Sequence, residues 1–138
     1  MALRQISVFL ENKSGRLADV SGLIGEAGLN LRAISIADTA DFGILRMIVD
    51  KPDDALAILE KKGFTARENK VLGVEVDDSP GGLSKIMKTF YENDVNIEYL
   101  YSSLEHGQGK AVIIFKVEDV EHGINILEKY NMSRVSGF

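Results

Sequence analysis

The sequence predicts an α+β protein built from two tandem βαββαβ units. Each unit is expected to be an antiparallel sheet with its helices on one face, and the two to sit side by side. Three observations carry this. Residues 6–36 align with residues 72–102 without a gap. In both copies alternating apolar residues precede a glycine-containing loop, and apolar residues spaced by three and four follow it. A second helical segment containing "ILEK" then closes each half.

Ile6, Val8 and Leu10 fall on Leu72, Val74 and Val76, an alternation that puts each trio on one face of a strand. The loops "NKSGRL" (12–17) and "DSPGGL" (78–83) come next. Leu17, Val20, Ser21 and Ile24 then match Leu83, Ile86, Met87 and Phe90 along one side of a helix. "GLNLRAI" at 28–34 meets "DVNIEYL" at 94–100, so Asn30 matches Asn96.

Beyond this point the offset grows from 66 to 68, which predicts a hairpin loop two residues longer in the second copy. Leu45, Met47 and Val49 then meet Ile113, Phe115 and Val117 on the core side of a third segment. "PDDALAILEKKGF" (52–64) and "VEHGINILEKYNM" (120–132) read as the second helices. Pro52 suits a first helical turn, and Asp53 and Asp54 lie near its positive end. Short closing strands fit residues 64–67 and 132–135. "ARENK" (66–70) reads as a short polar connection, so the units are residues 1–70 and 71–138.

The other face of the third segments carries Ile44, Arg46 and Ile48, and Val112, Ile114 and Lys116. A face open to water should be mostly polar. Its mixed character predicts that a second sheet or subunit covers it, through Tyr99 and Tyr101, and favours a homodimer.

Charge and composition exclude several classes. Residues 1–70 carry 10 basic and 10 acidic side chains, and residues 71–138 carry 6 and 11, so the whole net charge of −5 lies in the second half. Nucleic-acid binding calls for a basic face. There is no cysteine, which removes disulfides, thiolate catalysis and thiolate metal sites. No apolar run approaches the ~20 residues that span a bilayer. The first residues enter a strand pattern without a signal-peptide core. A cytoplasmic protein with no membrane partner is expected.

His106 and His122 lack spaced partners for metal or catalysis and read as surface residues. Gly22, Gly25 and Gly28 lie within and after a helix, not in the G-x-G-x-x-G spacing that opens one. Close helix–sheet contact or a helix C-cap accounts for them. No catalytic residue, cofactor or metal is expected.

The strand, the two loops, the amphipathic helix and then "GLNL" or "DVNI" resemble the ACT domain, here in tandem, over essentially the whole chain. ACT domains are ferredoxin-like regulatory modules that pair and bind small ligands, most often amino acids, between paired domains. The resemblance implies that the loop after the first strand contacts the ligand largely through its backbone. That role falls on Asn12, Lys13, Ser14, Gly15, Arg16 and Leu17, and on Asp78, Ser79, Pro80, Gly81, Gly82 and Leu83. A residue at the start of the second strand often assists, which implicates Asn30 and Asn96. Most ACT domains are attached to a catalytic or DNA-binding domain. None is apparent here, which implies a free-standing sensor or a regulatory subunit acting on a separate enzyme.

Other readings stand beside these. Gly15 and Gly81 can serve only to shape a tight turn, and the asparagines only to tie down loop backbone. Arg16 becomes Gly82 and Lys13 becomes Ser79 in the second copy, so only one site need be intact. The Arg16 guanidinium can clamp a carboxylate or remain a solvated surface charge. A small enzyme on the same scaffold and a ligand-free assembly module are the rival functions.

Overall fold

The computed structural model describes residues 2–11, 13–38, 42–107 and 109–135; the side chains of residues 38 and 105–107 lie outside that description. The elements run β1 (Leu3–Glu11), α1 (Arg16–Glu26), β2 (Leu31–Asp38), β3 (Phe42–Val49), α2 (Pro52–Lys61) and β4 (Thr65–Asp77). They continue α3 (Gly82–Glu92), β5 (Ile97–Gly107), β6 (Lys110–Val117), α4 (Val120–Lys129) and β7 (Arg134–Val135). The chain divides into two compact units, Arg4–Asn69 and Lys70–Phe138 with Met1–Leu3.

In the first unit β1 lies antiparallel to β3, with Ile6 opposite Met47 and Val8 opposite Leu45. The other side of β3 carries β2, also antiparallel. β1 pairs with β4 as well. Ser7 Oγ donates to Asn69 Oδ1 at 2.7 Å, and Arg4 Nε donates to Glu68 Oε1 at 2.7 Å. The alternation read from sequence is the core: Ile6, Val8, Leu10, Leu45, Met47 and Val49 are buried beneath Val20, Ile24, Ala55 and Leu59 of the two helices. Burying one such branched side chain contributes roughly 1.5–3 kcal/mol. Pro52 occupies the start of α2, where the missing N–H costs no helical bond.

The second unit repeats this. β4 lies antiparallel to β6, with Leu72 opposite Phe115 and Val74 opposite Ile113, and β6 in turn carries β5. β7 adds two residues to the free side of β4. Phe90 of α3 meets Phe115 edge to face, with ring centroids 5.3 Å apart at 82°. The N-cap of α4 is Asp119, whose carboxylate accepts from the His122 N–H at 3.1 Å.

Four features differ from the sequence reading. "ARENK" is not a connection: residues 66–70 lie inside the 13-residue strand β4. Their polarity suits an exposed or half-buried stretch whose backbone is paired, with Glu68 and Asn69 turned to Arg4 and Ser7. The two extra residues of the second copy are not in the hairpin loop. Between Ser102 and His106 β5 advances four positions while its partners on β6 move only from Ile113 to Ala111, so a bulge absorbs them. Leu17 and Leu83 are exposed despite their helical spacing, because each sits in the first turn before the helix settles over the sheet. Gly22 and Gly25 face open space, so close contact does not explain them. Gly28, by contrast, has φ +74° just past the end of α1, as a helix stop requires.

On the opposite sheet face Ile48, Tyr101 and Ile114 are buried, while Ile44, Arg46, Tyr99, Val112 and Lys116 are half-buried. Among the described residues no helix is long and apolar enough to cross a membrane.

Phe90→Ala is expected to remove about 3–5 kcal/mol of stability, whereas Tyr91→Ala, at a residue 84 % exposed, stays within about 0.5 kcal/mol of the parent. Urea unfolding followed by circular dichroism separates the two.

Candidate functional site

Each unit turns from its first strand into its first helix through a glycine in the left-handed region: Gly15 at φ 87°, ψ −9° and Gly81 at φ 87°, ψ −6°. A side chain there is strained, which explains why the glycine recurs. Both glycines occupy the N-cap, so neither helix has a side-chain oxygen over its first amides. Those amides carry a partial positive charge.

The loops differ in how they are tied. In the first, the Lys13 N–H donates to Glu11 O at 2.7 Å, and Lys13 Nζ bridges Glu11 Oε2 at 2.8 Å. That ammonium holds the Glu11 carboxyl below its ordinary range. Lys13, Ser14 and Gly15 are exposed and Arg16 half-buried; Asn12 lies outside the described residues. In the second, the Asp78 N–H donates to Gly109 O at 2.8 Å; the Gly82 N–H bond to Ser79 O, 3.0 Å, is common to both loops, matched by the Arg16 N–H to Lys13 O at 3.4 Å. A Cβ on Gly82 would lie 2.0 Å from the Asp77 carbonyl oxygen, so this loop folds back more tightly than one that accommodates Arg16. Asp77 is paired with Lys110, whose ammonium lowers the Asp77 carboxyl pKa.

Within a unit, Asn30 and Asn96 are not brought to their own loop. The antiparallel steps from β1 to β3 to β2 put the start of β2 at the sheet end opposite residue 11, and the second unit does the same. The Asn30 N–H donates to Asp50 Oδ1 at 3.0 Å. Asn96 Nδ2 donates to Glu118 Oε2 at 3.1 Å. Both asparagines therefore brace the turn that follows the third strand of their unit. Among the described residues no group of three or more His, Cys, Asp or Glu side chains could hold a metal ion. His122 Nε2 lies 2.7 Å from Asn93 O, and the side chain of His106 lies outside the described residues.

Beside each loop lies a cleft that sequence reasoning missed. In the first unit a cavity of about 240 Å³ is lined by the end of β1, by Arg16, and by the turn Lys62–Thr65 after α2. Its counterpart in the second unit, about 200 Å³, is lined by the end of β4, by Gly82 and Lys85, and by Tyr130–Ser133. The lining positions correspond through the two offsets of the repeat. The alignment of 52–64 with 120–132 already pairs Lys62 with Tyr130 and Phe64 with Met132, but carries no signal that they line a cleft.

The family follows from this doubled architecture: the chain belongs to the ACT domain pair family, whose model matches residues 1–136. A protein of Bacteroides thetaiotaomicron known from its crystal structure is 35 % identical, with 98 % of this chain and 92 % of that one covered at a TM-score of 0.92. The acetolactate synthase small subunit of Haemophilus influenzae is 38 % identical over 55 residues, which span 40 % of this chain and only 34 % of that subunit. The ligand-free regulatory subunit of aspartate kinase from Thermus thermophilus shares the fold, at 18 % identity and a TM-score of 0.67 over 94 % of this chain and 93 % of that one.

Gly15→Ala is expected to cost about 1–2 kcal/mol, from the left-handed backbone alone. Gly82→Ala costs more, because its methyl meets a fixed carbonyl oxygen; thermal melts of the two variants give the order. Lys110→Ala lets the Asp77 carboxyl rise toward its ordinary value, read by NMR titration. A depressed carboxyl stabilises the fold above its unfolded pKa and loses that contribution as pH falls through its folded pKa, so the variant shows a shallower stability loss below pH ~4.

Proposed function

We propose that this chain is a non-catalytic regulatory or sensor protein. It binds a small ligand, an amino acid, between paired ACT units, and through that binding modulates a separate enzyme in the cytoplasm. The observation that carries the reading is the twice-repeated strand–loop–helix turn, each with a left-handed glycine at the N-cap and no side-chain cap. The Arg16 and Gly82 N–H groups bond back to Lys13 O and Ser79 O, and the helical N–H groups after them, which no side chain caps, suit a carboxylate. The relatives lend support: one is a small subunit of acetolactate synthase and one a regulatory subunit of aspartate kinase.

Magnitudes set what the rest of the site must supply. A helix end contributes about 0.3–1 kcal/mol, and up to ~2 when partly buried. Micromolar affinity needs roughly 8 kcal/mol. The balance comes from several loop N–H groups and from enclosing the ligand's side chain between paired units, where a homodimer supplies further pairing. In this reading residues 12–17 and 78–83 hold the ligand's charged end, and Asn30 and Asn96 of a paired unit complete the enclosure. Ligand that favours one packing of the pair shifts the conformational equilibrium by its differential affinity, and a bound enzyme feels that shift.

Isothermal titration of the purified chain against the twenty amino acids tests this. Saturable heat is expected with at least one, and is expected to be lost in the Gly15→Val, Gly81→Val double variant. Absence of heat with every amino acid, and with related 2-oxo and aromatic acids, would overturn the proposal.

A further inference from the structure

The two clefts share their position in the repeat but not their charge. At offset 66, Glu11 and Arg16 of the first correspond to Asp77 and Gly82 of the second. At offset 68, Lys62 and Phe64 correspond to Tyr130 and Met132. In the second cleft Lys110 is paired with the Asp77 carboxylate, and the other charged lining residues, Glu75 and Lys85, are one of each sign, so the charges balance. In the first, the Arg16 guanidinium lies over the Phe64 ring, 5.8 Å from its centre, with Lys62 on the same wall. Among the described residues neither cation joins an ion pair. The carboxylate in this cleft, Glu11, is already engaged by Lys13.

The fold does not need these cations. The second unit builds the same cleft, of nearly the same volume, with a glycine and a tyrosine in their places. Lys62 and Tyr130 even share a backbone conformation as helix C-caps, φ −90° and −99°. Arg16 also acts on the Glu11 carboxyl, though less than Lys13 does; with Lys62 the lining carries two cations to one carboxylate, so a further anion is attracted. A guanidinium that meets an aromatic ring through its charge keeps its N–H groups available to donate to an oxyanion. The cavity of about 240 Å³ equals roughly eight waters at ~30 Å³ each, room for a compact molecule.

We propose that the cleft between Arg16, Lys62 and Phe64 in the first unit is a separate binding site for a small oxyanion, a carboxylate or phosphate, and that its counterpart in the second unit is not. The site lies within one unit; it shares Arg16 with the loop proposed to hold the amino acid, whereas Lys62 and Phe64, in the turn after α2, belong to it alone.

The test is two-dimensional NMR of the ¹⁵N-labelled chain titrated with inorganic phosphate and, separately, with succinate; the two arms distinguish phosphate from carboxylate chemistry. Saturable shifts are expected at the amides of residues 62–65 and 16, with at least one of the two anions, and none at residues 130–133. Lys62→Tyr, which copies the residue the second cleft carries, should weaken that binding at least tenfold, as should Phe64→Met. No saturable shift with either anion, equal shifts at both clefts, or binding undiminished in Lys62→Tyr would each overturn the assignment.

Discussion

Each unit depends on covering one apolar sheet face with two helices. Ile6, Val8 and Leu10, or Leu72, Val74 and Val76, are buried only if the helix that follows doubles straight back over the strand. The chain must therefore reverse within four or five residues, and a left-handed residue at the N-cap achieves it. A glycine in that place has no oxygen to offer the first helical amides. The loops to which function is assigned thus originate in a demand of the core. Their duplication follows because the core is duplicated.

This explains which parts of the molecule were legible in the sequence. The alternation and the helical spacing report burial, and burial is what aligned the two halves, so the cores of both units were readable residue by residue. Polar residues were not. Glu68 and Asn69 read as linker because a paired strand with outward side chains has no apolar signature. The bulge at Ser102–His106 reads in the sequence as a longer hairpin because an offset counts extra residues without locating them. Leu17 and Leu83 keep the helical period yet stay exposed, since the period knows nothing of how far the first turn stands off the sheet.

The candidate site was legible to a lesser degree. Glycines betray a special backbone, and Gly15 and Gly81 were found by that signal. Arg16, Lys62 and Phe64 meet only through the fold, across 48 residues of chain, and nothing local in "EKKGF" marks the turn as one wall of a cleft. The comparison of the halves was more informative than either half alone: it shows which charges the architecture does without.

α1 has one property its counterpart lacks. Gly22 and Gly25 lie in its last two turns, facing open space, where α3 has Lys88 and Tyr91. Each glycine in a helix interior costs about 0.8–1 kcal/mol relative to alanine, so α1 frays more readily than α3. Its carboxyl-terminal amide protons should then trade with deuterium sooner, and anything seated near its amino end acts on the more labile of two otherwise matching helices.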